Sequence, residues 1–370
     1  LLAIALDASL WDEPTTGIGL YTRCLAAALE RRGVRVHRLG AEKSGEAPRG
    51  SLGRTPYVIG RLPEVLAGLD APLFHAVCNF NLPLTRVHGK RMVLTVHDLI
   101  PVLLPETVSR PYHWQFRLWL SRSLKVAHRV LCDSECTRRD LLTHFPVEEE
   151  KLEVVPLGVD HVDAVPPPDA AGLAYLRALG LPPQYILYAG SLDTRKNVAL
   201  ILDALERLRA RGRPVTLVLS GQSGFGSAPV ELRIAQMRAA GFDLRPLGFL
   251  SSPLFYELFR RATVFVFPSR YEGFGLPPLE AMKLGVPTVV STAGAMPEVC
   301  GNAAVQVDPD SPAELATVLD RLLRSPEERA QRGEAGRQHA ARFTWDATAG
   351  RTLEVYQSAL KRDQGGPRLR

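Results

Sequence analysis

The stretch VFVFPSRYEGFGLPPLEAMKLGVPTVVS, residues 264–291, holds a strand, a loop, a helix and a second strand in close succession. Its ends, VFVFP and VPTVVS, are apolar at consecutive positions rather than alternating. That pattern suits strands covered on both faces, as in a parallel sheet. Pro277 and Pro278 fit the first turn of a helix, whose amide groups lack intrahelical partners. A strand–helix–strand unit of this kind belongs to a doubly wound α/β fold. Glu272 stands before the helix and Glu280 about one turn inside it. Carboxylates there are good acceptors for sugar hydroxyls, and both can face one cavity. Gly273 and Gly275 let the backbone approach a ligand closely, and the helix start favours an anion. The plainer alternative makes Glu280 a helix-start acid and Glu272 a surface loop residue. A capping box would want Ser or Thr at position 277, where proline stands.

Working outward, short apolar runs alternate with helical patterns along nearly the whole chain. The first half offers LAIAL, VRVHRL, LFHAV, RMVLTVH, RVLCDS and LEVVPLG; the second offers YILYAG, VTLVLSG, LRPLGFL, VFVFPS, VPTVVST and AAVQVD. Between them, Val198, Ile201, Leu202, Leu205 and Leu208 form one helix face, and Leu315, Val318, Leu319, Leu322 and Leu323 another. Three prolines in AVPPPD, residues 164–169, interrupt any helix or central strand and predict a linker near 162–168. The expected organisation is one Rossmann-like domain over 1–162 and a second Rossmann-like domain over 163–344. A terminal helix and tail, 345–370, is expected to pack back on the first domain. Two such domains facing each other would bind ligands in a cleft at the carboxyl ends of both sheets.

The 370 residues suit two domains, and the composition, 46% hydrophobic and 23% charged, gives both an ordinary core. No apolar run approaches the roughly 20 residues of a membrane span. LLAIALDA at the start is expected to be a first buried strand rather than a signal peptide, because Asp7 ends the run and no basic segment precedes it. Five scattered cysteines, Cys24, Cys78, Cys132, Cys136 and Cys300, complete no zinc pattern and suit buried thiols in a reducing cytoplasm. A net charge of +6 favours anionic partners: nucleotide phosphates, a lipid diphosphate or an acidic membrane surface. No nucleic-acid motif accompanies it.

A second candidate site is YAGSLDTRKN, residues 188–197, at a strand end. Arg195 and Lys196 can neutralise a diphosphate, although a helix start ordinarily disfavours cations. Toward the amino terminus, TTGIGLYTRCL places Gly17 and Gly19 between a first strand and a helix, with Thr22 where a full glycine fingerprint wants a third glycine. TVHDLIP ends a buried strand with His97 and Asp98; such a histidine is often simply a satisfied core group. GQSGFG, residues 221–226, is either a loop bordering a nucleotide or a turn. Asp308–Asp310 (DPD) fits a turn better than a metal site, and no metal is expected. Arg117, Arg122, Lys125 and Arg129 interleave with aromatics over 112–129, as either a membrane-resting helix or a core helix with a solvated face.

Together these strings resemble the retaining glycosyltransferases of the GT-B fold, the group 1 / family 4 enzymes. EGFGLPPLE matches their E-x7-E signature, AMKLGVPTVVS continues the match, and the likeness runs from about Asp7 to the final helix. The resemblance implies that Glu272 contacts the donor sugar and Glu280 the ribose, with Gly273, Phe274, Gly275 and Leu276 lining the donor site. Lys196 matches a family lysine that faces the leaving diphosphate. Ser191 stands where many members carry arginine, and Arg195 can supply that charge. Gly17 and Gly19 match a loop near the donor phosphates, and Gly248 and Phe249 match positions beside the base. His97 matches a position bordering the transferred sugar, with Asp98 next to it.

The family's front-face mechanism keeps anomeric configuration and needs no cofactor or metal. GIG, HD, RKN and EGFGLPPLE look most like bacterial mannosyltransferases of surface polysaccharide assembly. GDP-mannose is therefore the expected donor and a glycan or lipid diphosphate-linked glycan the expected acceptor. The expected location is the cytoplasm, with peripheral contact at the inner face of an anionic plasma membrane. An epimerase of the same architecture would turn over donor alone, and a non-catalytic subunit would bind donor without transfer. An NAD-dependent dehydrogenase would want a complete glycine fingerprint followed by an acid, which neither half has.

Overall fold

A computed structural model describes residues 2–13, 16–40 and 55–361. Every apolar run singled out above forms a strand: β1 Ala3–Asp7, β2 Arg35–Leu39, β3 Leu73–Ala76, β4 Arg91–Val96, β5 Arg129–Cys132 and β6 Leu152–Val154. The second half contains β7 Tyr185–Ala189, β8 Thr216–Ser220, β9 Leu244–Gly248, β10 Val264–Phe267, β11 Thr288–Ser291 and β12 Val305–Val307. They build two six-stranded sheets, ordered β2-β1-β3-β4-β5-β6 and β12-β11-β10-β7-β8-β9. Every pairing is parallel. Central strands such as β7, β8 and β10 are buried at every residue, which is why their sequences do not alternate. Pro246 is tolerated in β9 because that strand lies at a sheet edge.

The chain divides into two compact units. One comprises Leu1–Pro105, Ser109–Gly158 and Thr344–Arg370; the other comprises Glu106–Val108 and Val159–Phe343. The division at Gly158 and Val159 comes before the proline run. Pro166–Pro168 lie inside the second unit, where they line a cavity with Tyr175 and Leu254. Residues 362–370 of the expected tail lie outside the described residues.

In the first unit the helix Trp345–Lys361 is fixed by a buried polar chain. Tyr356 Oη is 2.7 Å from His75 Nδ1, His75 Nε2 is 2.7 Å from Thr95 Oγ1, and Tyr21 Oη is 3.0 Å from the same hydroxyl. Burial, helped by the nearby His97, pushes His75 down to about 3, so its ring stays neutral. In the second unit the helix faces Val198–Ala210 and Pro312–Arg324 bury the residues their periodicity predicted, apart from a half-buried Leu323.

All five cysteines are thiols; Cys24 and Cys78 are half-buried rather than buried. The turn at 308–310 closes through the Asp310 amide on Asp308, and Asp310 pairs with Arg270. No helix among the described residues is long and apolar enough to cross a membrane.

Candidate active site

In open parallel sheets, ligands bind outside the carboxyl ends of strands where the strand order reverses. In the second unit that reversal lies between β7 and β10, which are neighbours in the sheet. Arg195 and Lys196 stand on the loop after β7 and Glu272 on the loop after β10. The topology explains why residues 76 positions apart meet.

Glu272 Oε1 accepts three hydrogen bonds, from Lys196 Nζ at 2.6 Å, Arg195 Nη1 at 2.8 Å and Ser269 Oγ at 2.6 Å. Its Oε2 has no protein partner among the described residues. Lys196 Nζ also sits 4.6 Å from the centre of the Phe267 ring, and Asp193 lies 3.9 Å from Arg195. Burial pushes the Glu272 carboxyl up, but Lys196 and Arg195 outweigh it, and the group stays ionised below its ordinary range. Burial pushes the Lys196 amine down; Glu272 opposes this, Arg195 adds to it, and the net direction is downward.

Asn197 holds this arrangement. Its backbone is left-handed (φ 58°, ψ 37°), the only positive φ outside glycine among the described residues. Its amide nitrogen donates to Pro268 O at 3.2 Å and Pro309 O at 2.8 Å. Asn197 thus ties the loop after β7 to those after β10 and β12, and asparagine tolerates the conformation better than most residues. Ser191 donates to Asp193 at 2.5 Å, and Asp193 in turn accepts from the Phe225 amide at 2.6 Å, so the 221–226 loop is clipped to this one.

The helix Leu276–Lys283 begins at Gly275, whose φ of 103° favours glycine. Glu280, inside this helix, is buried and does not bond to Glu272. Its Oε1 accepts from Tyr256 Oη and from His161 Nε2, each at 3.0 Å. Gly273 and Gly275 are buried, Leu276 is half-buried, and the ring of Phe274 packs 6.0 Å from Phe343, a core role for that side chain. The Gly248 carbonyl is taken by Gly221 N at 2.9 Å, while the Phe249 ring is half exposed beside it.

In the first unit His97 directly follows β4. Its Nδ1 lies 2.7 Å from Asp133 Oδ2 and its Nε2 lies 3.0 Å from Val77 O. A carbonyl only accepts, so Nε2 carries a hydrogen, and Nδ1 shares one with Asp133. Burial pushes His97 down, but Asp133, by charge and hydrogen bond, raises it above its ordinary value. No lone pair is left for taking a substrate proton; a base role for His97 does not fit. Asp98 caps the turn to Ile100 N at 3.0 Å. Gly17 and Gly19 lie within the helix Gly17–Arg31 rather than ahead of it, and Thr15 lies outside the described residues. A Cβ at Gly19 would come 2.5 Å from Leu10 O, so loop packing demands that glycine, whereas Gly17 has open space.

Two family models match the chain: "Glycosyltransferase Family 4" over residues 15–163 and "Glycosyl transferases group 1" over 177–339. An MMP alpha-(1->4)-mannosyltransferase of Mycolicibacterium hassiacum is 35% identical over 287 residues, 74% of this chain and 67% of that protein. The chain is a group 1 / family 4 glycosyltransferase. This glycosyltransferase is also 30% identical to O-antigen chain mannosyltransferase B of Escherichia coli, over 75% of its own length and 72% of that relative's. Its fold is GT-B: it superposes on a sucrose-phosphate synthase from Thermosynechococcus elongatus with a TM-score of 0.77 at 20% identity, covering 98% of this chain and all of that one. Anabaena HepE in complex with UDP-glucose gives a TM-score of 0.74 at 19% identity, covering 97% of this chain and 100% of that one. Among the described residues of the glycosyltransferase, no group of three or more His, Cys, Asp or Glu is arranged to hold a metal.

Proposed function

We propose that this glycosyltransferase moves mannose from GDP-mannose to a hydroxyl of a glycan or lipid diphosphate-linked acceptor, retaining the anomeric configuration without a metal or other cofactor. The observation that carries the proposal is the pair of cations on one oxygen of Glu272 at the β7/β10 reversal. Lys196 and Arg195 stabilise the departing diphosphate, the part a metal plays elsewhere. Glu272 keeps Oε2 for the sugar hydroxyls, and Glu280 keeps its Oε2 for the ribose. With His97 occupied at both ring nitrogens, the acceptor proton goes to the leaving phosphate oxygen: the acceptor–carbon bond forms as the sugar–phosphate bond breaks. The mannose assignment is supported by the two mannosyltransferase relatives.

A lipid-linked acceptor is supported by the helix Arg110–Val126, which contains no acid. Its exposed Trp114 and Leu118 share the outer face with Arg110, Arg117, Arg122 and Lys125, a composition suited to an anionic membrane surface. On this reading the protein works from the cytoplasm, against the inner face of the plasma membrane.

The test is incubation with GDP-mannose, UDP-glucose and dTDP-glucose in EDTA, with and without a prenyl diphosphate-linked glycan, followed by NMR of the product. Acceptor-dependent GDP release with an α-linked mannose is expected. A β-linked product, a requirement for added magnesium, or preference for another donor would overturn the corresponding part. Conversion of donor alone to a new sugar would favour the epimerase alternative.

A further inference from the structure

We infer that His161 and Tyr256 are positioning residues that aim Glu280 at the nucleotide ribose and so set the enzyme's discrimination for ribonucleotides. The inference rests on the proposed ribose role of Glu280 and adds two residues, from outside the signature motif, that make it work.

His161 Nε2, Tyr256 Oη and Glu280 Oε1 form a closed triangle with sides of 3.0, 3.0 and 3.1 Å. The Tyr256 hydroxyl has one hydrogen and gives it to the carboxylate. His161 Nε2 must then be the protonated nitrogen, donating into the same pair of oxygens. Both good acceptor directions of Oε1 are filled, whereas Oε2 has no protein partner among the described residues. A carboxylate on a side chain 6% exposed, with one oxygen saturated and the other open, is oriented for a ligand that supplies hydroxyls.

Each donor is itself immobilised. Tyr256, buried on the helix Ser252–Arg261, has ring contacts at 5.2 Å to Phe255 and 6.3 Å to Phe259. His161 lies in the 3-10 turn Asp160–Ala164, and two residues on, Asp163 pairs with Lys283 at 2.8 Å. Positions 280 and 283 lie on one face of their helix, so the turn straps that face at two points. The strap fixes the rotamer of Glu280 before any ligand arrives, and preorganisation of this kind raises affinity.

The experiment measures binding of GDP, UDP and their 2′,3′-dideoxy forms by calorimetry to the full chain and to Glu280→Gln, Tyr256→Phe, His161→Phe and His161→Gln. The wild type should prefer the better ribonucleotide over its dideoxy form by about tenfold or more, the worth of one hydrogen bond to a charged group. Tyr256→Phe and His161→Phe should remove most of that preference while leaving dideoxynucleotide affinity within about twofold, and His161→Gln, whose amide can replace Nε2–H, should restore it. Unchanged preference in both Tyr256→Phe and His161→Phe, beside a lost preference in Glu280→Gln, overturns the inference and leaves the ribose reading standing. Unchanged preference in Glu280→Gln overturns the ribose reading itself. A merely misfolded variant would lose both ligand forms together.

Discussion

At the β7/β10 reversal the chain sets two cations on one carboxylate oxygen. In the first unit, at the ends of β3 and β4, it sets one imidazole between a carboxylate and a backbone carbonyl. The two places have the same architectural origin and different capacities. Glu272 and Lys196 keep binding capacity: an oxygen without a protein partner among the described residues, and a lysine whose charge burial disfavours. His97 has none, since both nitrogens are engaged. The difference teaches that a charged cluster at a strand end is suited to binding an anion only when its internal pairing is incomplete.

The comparison breaks most visibly on the cation side. Lys196→Ala and Glu272→Ala should each lower kcat about 10²- to 10³-fold in steady-state assays, with far-UV circular dichroism unchanged, the usual loss when one preorganised electrostatic group is removed. His97→Gln should cost about tenfold, within the range of a charge-assisted hydrogen bond. Its pH dependence sharpens the contrast. His97 is raised in the folded protein, so its stabilising contribution is whole below about pH 6.5 and is lost as pH rises through the higher folded value. The melting-temperature gap between wild type and His97→Gln should therefore be larger at pH 6 than at pH 9. Activity that climbs as His97 deprotonates would instead reveal a base.

Asn197→Ala should destabilise by about 2 kcal/mol in denaturant unfolding, through the left-handed backbone and two lost hydrogen bonds. Asn197→Gly, which keeps the backbone freedom, should lose about half as much. The smallest effect on catalysis belongs to Trp114→Glu with Leu118→Glu. Transfer to a water-soluble acceptor should be unchanged, while co-sedimentation with phosphatidylglycerol vesicles falls severalfold.

The strands were legible because parallel strands buried on both faces leave unbroken apolar runs, and all twelve runs became strands. Glu272, Glu280 and Lys196 were legible because a motif carries them. Their partners were not. Tyr256, Asn197, Ser269 and Asp133 are ordinary residues in sequence, and His161 meets Glu280 across 119 positions, a pairing that only the sheet order creates. Two neighbours do leave a trace, since an asparagine after R-K and a Ser at the end of VFVFPS both sit inside quoted strings. Proline ends helices and strands, whereas unit boundaries follow packing, and Pro166–Pro168 pack within the second unit.

The central claim is that Lys196, Arg195 and Glu272 form a metal-independent diphosphate site. Calorimetric titration of GDP and GMP into wild type and Lys196→Ala, in EDTA and again with added magnesium, tests it most directly. The account predicts that wild type binds GDP at least tenfold more tightly than GMP, and that Lys196→Ala largely erases the difference while GMP binding persists. Equal affinity for GDP and GMP in the wild type, or a preference that appears only with magnesium, would contradict it.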